Sequence, residues 1–179
     1  STGEDISSSL LAIALNNIAI SSRSWRGWQL PVRTDSFHSN AKIEEIETNQ
    51  LIKSFKEGFK VAVVSGFQGI EQAGRITTLG RGGSDTSAVA IAAAIDAERC
   101  DIYTDVSGIF TTDPRIKRNA AKLKKISFEE MLEMASLGAN VLQTRAVELA
   151  MRHKVPIRVL NSFLKEEGTL VCDEEEIME

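Results

Sequence analysis

Ile76 to Phe110 constrains this chain more than any other stretch; it reads ITTLGRGGSDTSAVAIAAAIDAERCDIYTDVSGIF. A β-prone run, Arg75 to Leu79, breaks at Gly80, and the loop Gly80-Arg81-Gly82-Gly83 follows. Ser84 and Asp85 open an apolar, alanine-rich segment, expected to be helical to about Ala97 with Ser84 as N-cap. A second strand, Asp101 to Thr104, ends in Asp105 and a turn at Ser107-Gly108. Three glycines in four residues let a backbone approach a ligand without Cβ clashes. Arg81 adds a planar fork that matches a carboxylate or phosphate, and a helix N-terminus favours an anion. The spacing fits neither a Walker A loop nor a dinucleotide GxGxxG fingerprint, so the residues alone suit a tight structural turn as well as an anion site.

The rest of the chain alternates strand and helix signals. Asp5 to Asn17 has Leu10, Leu11, Ala14 and Leu15 at helical spacing. Ala19 to Ser22 reads as a short strand, and Pro31 marks an edge strand or loop. Ile43 to Lys56 fits one or two amphipathic helices. Lys60 to Phe67 is a continuous apolar strand of the kind buried on both faces, with Phe67 at its carboxyl end. Ser127-Phe128-Glu129-Glu130 is a capping box before a helix to about Leu137, and a second helix follows from about Ala139 to His153. Val155 to Leu160 and Thr169 to Cys172 are strands, and the acidic run Asp173 to Glu179 is expected to fray. This pattern predicts an α/β fold with a mostly parallel sheet. Lys60–Phe67, Arg75–Leu79, Asp101–Thr104 and Val155–Leu160 are expected to share one sheet.

Composition narrows the function. At 179 residues, one compact domain is the default. A net charge of −4 argues against a nucleic-acid binder, which needs clustered Lys and Arg. Cys100 and Cys172 make no disulfide framework, and no stretch is long and apolar enough to span a bilayer. A reduced cytoplasm is the simplest home. Neither His38 nor His153 has metal-ligand spacing, so no metal ligands are assigned.

The motifs GFQGI, TTLGRGGSDTSA, YTDVSGIFTTDPR and EMASLGANVLQ, with the opening STGE, together resemble the aspartokinases of the amino-acid kinase family. The resemblance runs from Ser1 to about Val171 and assigns residues 1–172 to the kinase catalytic domain, with 173–179 as a tail. It implies a three-layer αβα sandwich with ATP, Mg²⁺ and L-aspartate as ligands, and a possible homo-oligomer. The implied reaction moves the γ-phosphoryl of ATP to the side-chain carboxylate of aspartate, opening lysine, threonine and methionine biosynthesis. On the amino-acid side the family's pattern falls on Glu4 for the amine and Arg81 for the α-carboxylate. Gly82, Gly83, Ser84 and Asp85 would shape that pocket, Phe67 would wall it, and Arg81 and Asp85 would be the residues catalysis depends on. On the nucleotide side the pattern falls on Thr104, Asp105, Phe110, Asp113, Arg115 and Asn140. Asn140 stands where the family usually has lysine, and Phe110 where tyrosine is common. The family's N-terminal phosphate loop and C-terminal regulatory ACT domains have no counterpart in this sequence, so the isolated chain is expected to be inactive. The rival readings are another amino-acid kinase, acting on glutamate, acetylglutamate or UMP, and a non-catalytic binding module.

Overall fold

A computed structural model describes residues 1–139 and 141–178. The chain gathers into two compact units, Ser1–Ile95 and Asp96–Glu179.

The first unit contains α1 (Thr2–Asn17), β1 (Ser22–Trp25), β2 (Val32–Thr34), β3 (Ile43–Ile46), α2 (Asn49–Lys56), β4 (Val61–Val64), β5 (Gln68–Ile70), β6 (Ile76–Thr78) and α3 (Gly83–Ala94). β1 pairs in parallel with β4, and a second sheet has the order β3-β2-β5-β6. The core gathers Trp25, Leu30 and Leu51 against Ile46, Val64 and Ile91. Ile43–Ile46 is a strand rather than the start of a helix: it lies antiparallel to β2 with a register shift at Arg33/Thr34, and Arg33 pairs with Glu47 beyond it. The short first strand lies at Ser22–Trp25, three residues later than its sequence signal, and Pro31 sits in a turn. Burial departs from the sequence pattern in two places. Every residue of β4 is half-buried, because among the described residues this strand has β1 alone as a ladder partner. α1 buries Ser8 and Ala12, while Leu10 and Leu11 are exposed, so its covered face is the small polar one.

The second unit contains β7 (Cys100–Thr104), β8 (Lys125–Ser127), α4 (Phe128–Ser136), α5 (Thr144–His153), β9 (Ile157–Asn161), β10 (Thr169–Cys172) and a short α6 (Glu175–Met178), where fraying was expected. Its sheet has the order β7-β9-β10-β8. α4 packs on α5 and on the sheet, burying Phe128, Met131, Ala146 and Val147. The capping box is present: the Ser127 hydroxyl accepts from the Glu130 amide, and Glu130 reaches back to the Ser127 amide. α5 begins at Thr144, later than the helical spacing suggested.

The α/β expectation holds, and among the described residues four of the seven strand pairings are parallel. The expectation of one shared sheet does not. β4, β6 and the β7–β9 pair fall in three separate ladders. β6 is captured locally: a turn at Gly74 folds it antiparallel onto β5, so its ladder partner is its own sequence neighbour.

A polar cluster joins β7 to β9 at one of their register pairs. Asp101 and Arg158 face each other across β7 and β9, with Nη2 to Oδ2 at 2.8 Å, and Arg99 Nε lies 2.7 Å from the other oxygen. Partial burial pushes the Asp101 carboxyl up, but the hydrogen bonds from Arg158 and Arg99 outweigh it and hold it below the ordinary aspartate range. A carboxyl depressed in the folded state stabilises fully above its unfolded pKa, about 3.9, and that contribution fades as pH falls through the folded value. Asp101→Asn should therefore be less stable than the parent at pH 7, with the gap closing below about pH 4. Urea unfolding at a series of pH values checks this; a gap that stays constant into acid would contradict it.

Candidate functional site

Three segments of the first unit meet at one place: the start of α1, the turn after β4, and the start of α3. Ser8 on α1 and Ser65 after β4 are buried and share a hydrogen bond of 2.9 Å. The buried Gln68 donates through Nε2 to Asp5 Oδ1 at 3.0 Å. Between these anchors Phe67 has φ of 68°, in the left-handed region that a bulky residue rarely enters. Its N–H donates to Ser87 Oγ at 3.2 Å, and its carbonyl accepts from Leu79 N–H at 3.0 Å. The Ser87 hydroxyl in turn donates to the Ser84 carbonyl. A non-glycine residue held in this conformation by its surroundings is a mark of functional sites.

α3 starts two residues earlier than its sequence pattern suggests. The N-cap is Gly82, left-handed at φ of 67°, and Ser84 lies inside the first turn. Glycine takes that φ without a Cβ penalty, which is why a cap without a side chain wins over serine here. Gly83 is needed for a different reason. A Cβ there would stand 2.8 Å from the Phe67 ring and 2.9 Å from Leu79 Cβ. Asp85 is half-buried in the first turn, whereas Arg81 is exposed and has no ion-pair or hydrogen-bond partner among the described residues. Glu4 is half-buried on α1, and a backbone hydrogen bond holds its carboxyl below the usual range. A cleft of about 430 Å³ opens beside α1, lined by Thr2, Asp5, Ile6, Ser9, Leu10 and Arg26; neither Glu4 nor Arg81 lines it.

The nucleotide-side candidates all lie in the second unit. Thr104 ends β7, and its hydroxyl donates to Asp105 Oδ1 at 3.1 Å. Asp105 is exposed at the carboxyl edge of the parallel β7–β9 pair, where α/β proteins place ligands. Phe110 is half-buried and bridges Lys122 through its backbone. Arg115 is bound by its own neighbour: Nε and Nη2 both reach the Asp113 carboxylate, at 3.1 and 2.9 Å to the nearest oxygens. That guanidinium keeps the Asp113 carboxyl low. Asn140, the sixth nucleotide candidate, lies outside the described residues.

Sequence reading singled out Phe67, Gly82, Gly83 and Ser84 but missed Ser8, Ser65, Gln68 and Ser87, which hold them. Ser8 and Ser65 lie outside the quoted motifs, Gln68 and Ser87 lie inside them without a role that the motif reveals, and each role exists only once the chain is folded. The close packing at Gly83 gives a sharp expectation. Alanine is the better helix former by about 1 kcal/mol, but forcing a methyl into packed atoms costs about 1–3 kcal/mol. Gly83→Ala should therefore destabilise the protein, whereas Gly3→Ala in α1, with nothing within 4 Å of its Cβ, should not. Urea unfolding midpoints of the two variants decide; equal midpoints would remove the packing argument.

Residues 1–161 match the Amino acid kinase family. An aspartate kinase of Pseudomonas fluorescens is 54% identical over 180 residues, covering 100% of this chain and 43% of the relative. An aspartokinase of Bacillus sp. strain MGA3 is 54% identical over 173 residues, covering 97% of this chain and 42% of the relative. The chain thus spans less than half the length of these relatives. The structure of E. coli aspartokinase III in complex with aspartate and ADP superposes with a TM-score of 0.87 at 38% identity, over 96% of this chain and 39% of that one. A UMP kinase of Bacillus anthracis shares the fold, with a TM-score of 0.66 at 19% identity, 94% of this chain and 65% of that one. A family match over most of the sequence and this agreement in fold have one meaning: the chain belongs to the amino acid kinase family.

Proposed function

We propose that residues 1–172 are part of the catalytic domain of an aspartate kinase, which moves the γ-phosphoryl group of ATP to the side-chain carboxylate of L-aspartate. The observation that carries this reading is the clamp around Phe67, Gly83 and Ser84, beside an exposed Arg81 with no partner among the described residues, in a chain 54% identical to aspartate kinases. In the reaction a carboxylate oxygen attacks the γ-phosphorus, the bond to the β,γ-bridging oxygen breaks, and 4-phospho-L-aspartate and ADP result. No protein nucleophile is needed; the protein positions two anions and offsets their charge.

Arg81 suits the α-carboxylate of the amino acid, since its guanidinium is exposed and uncommitted among the described residues. Glu4 suits the α-ammonium. Gly82, Gly83 and Ser84 bring backbone close to the substrate, Asp85 shapes the same pocket, and Phe67 walls it. In the second unit Thr104, Asp105, Phe110, Asp113, Arg115 and Asn140 take MgATP. Among the described residues no three His, Cys, Asp or Glu side chains gather as a metal cage. Magnesium would be carried on the nucleotide phosphates and steadied by a single carboxylate, a part we assign to Asp105. Among the described residues no helix is long and apolar enough to cross a membrane. We place the protein in the cytoplasm, as a possible homo-oligomer, at the first step of lysine, threonine and methionine biosynthesis.

Calorimetric titration tests the substrate directly. L-Aspartate should bind in preference to L-glutamate, N-acetylglutamate and UMP. Arg81→Ala should weaken aspartate binding at least about tenfold, because a charge-assisted fork is lost and a carboxylate is left unpaired. Unchanged aspartate affinity in Arg81→Ala, or a preference for glutamate or UMP, would defeat the reading.

A further inference from the structure

The loop from Asp105 to Phe110 is held by two buried side chains that lie far from it in sequence. Asn161, at the carboxyl end of β9, is the register partner of Thr104. Its Oδ1 accepts from the amides of Phe163 and Leu164, at 2.8 and 3.1 Å. Two N–H donors on one side oblige the amide oxygen to face them, so Nδ2 must face the other way. There it donates to the Asp105 carbonyl at 3.3 Å and lies 3.4 Å from Ser107 Oγ.

Thr169, at the start of β10, holds the far end of the same loop. Its hydroxyl accepts from the Ile109 amide at 2.9 Å and donates to the Leu123 carbonyl at 2.6 Å. Its side chain is fully buried, and both its roles are used. Between the anchors Gly108, at φ of 133°, lies so close that a Cβ there would stand 2.6 Å from Thr169 Oγ1. β10 is an inner strand paired on both sides, so the loop is fastened to a rigid part of the sheet.

We propose that Thr169 and Asn161 are positioning residues for the nucleotide: they set the backbone that presents Asp105 and Phe110. The proposal rests on the reading that this loop meets MgATP. A general packing role would weaken both ligands alike, because it would act through folding. A positioning role predicts a split between them.

The test uses the 179-residue chain, with MgADP and L-aspartate titrated by calorimetry and amide hydrogen exchange followed at Ser107–Phe110. Thr169→Val keeps the side-chain shape but leaves the Ile109 amide and the Leu123 carbonyl unpaired. It should weaken MgADP at least about tenfold and leave aspartate affinity within about twofold, with faster exchange at Ile109. Thr169→Ser keeps the hydroxyl and should bind MgADP like the parent. Asn161→Asp carries the same test should Thr169→Val not fold, because it can still accept from Phe163 and Leu164 but offers the Asp105 carbonyl no donor. Parent-like MgADP binding in Thr169→Val and Asn161→Asp, equal loss of both ligands, or failure of Thr169→Ser would overturn the positioning role alone. A parent chain that binds no MgADP would overturn the proposed function, and this role with it.

Discussion

The first unit of this molecule depends on one backbone conformation. Phe67 occupies a left-handed φ that its side chain disfavours, and strain of this kind costs on the order of 1–3 kcal/mol. It persists because its amide and carbonyl are both committed, to Ser87 and Leu79, while the ring lies against a helix start that has no Cβ at Gly83. Gln68 and Ser65 on either side are tied to α1 by Asp5 and Ser8. The turn is thus over-determined, and the start of α3 is placed by the same contacts.

The second unit solves a related problem by different means. Its loop after β7 follows a parallel strand pair joined by Asp101 and Arg158. The loop itself forms no regular ladder, so it takes its hydrogen bonds from buried hydroxyl and amide side chains. Buried backbone polar groups must find partners, and here Thr169 and Asn161 provide them. Arg115 differs, since its charge is exposed and matched by Asp113 two residues away. To meet a phosphate it would exchange one carboxylate partner for another anion, a swap between similar hydrogen bonds and not the creation of a new charge site.

Much of this was legible in the sequence where a local rule acts. The capping box at Ser127, the glycine loop, the strand at Thr169–Cys172 and the family motifs follow from short-range chemistry. What was not legible depends on tertiary partners. Ile43–Ile46 has apolar residues that also fit a helix, and only β2 lying beside it makes it a strand. Leu10 and Leu11 look like a core face, yet the face of α1 that is covered carries Ser8 and Ala12, because Ser65 and Ser22 bond there. The separation of the strands into three ladders escaped for the same reason: apolar runs announce strands but not their neighbours. The candidate site was marked in the sequence by glycines and charges, while the contacts of the serines, glutamine and threonine around it were silent.

The two cysteines have a consequence of their own. Cys100 on β7 and Cys172 on β10 are both buried thiols outside any disulfide, and both lie in the Asp96–Glu179 unit. Burial also pushes the Cys172 thiol up, which leaves less of the reactive thiolate. A thiol reagent therefore reports the transient opening of this unit and is blind to the other. Nature has installed a pair of chemical labels in one unit, so modification rates read the opening of that unit alone, and set beside a probe of global unfolding they tell whether it opens before the rest.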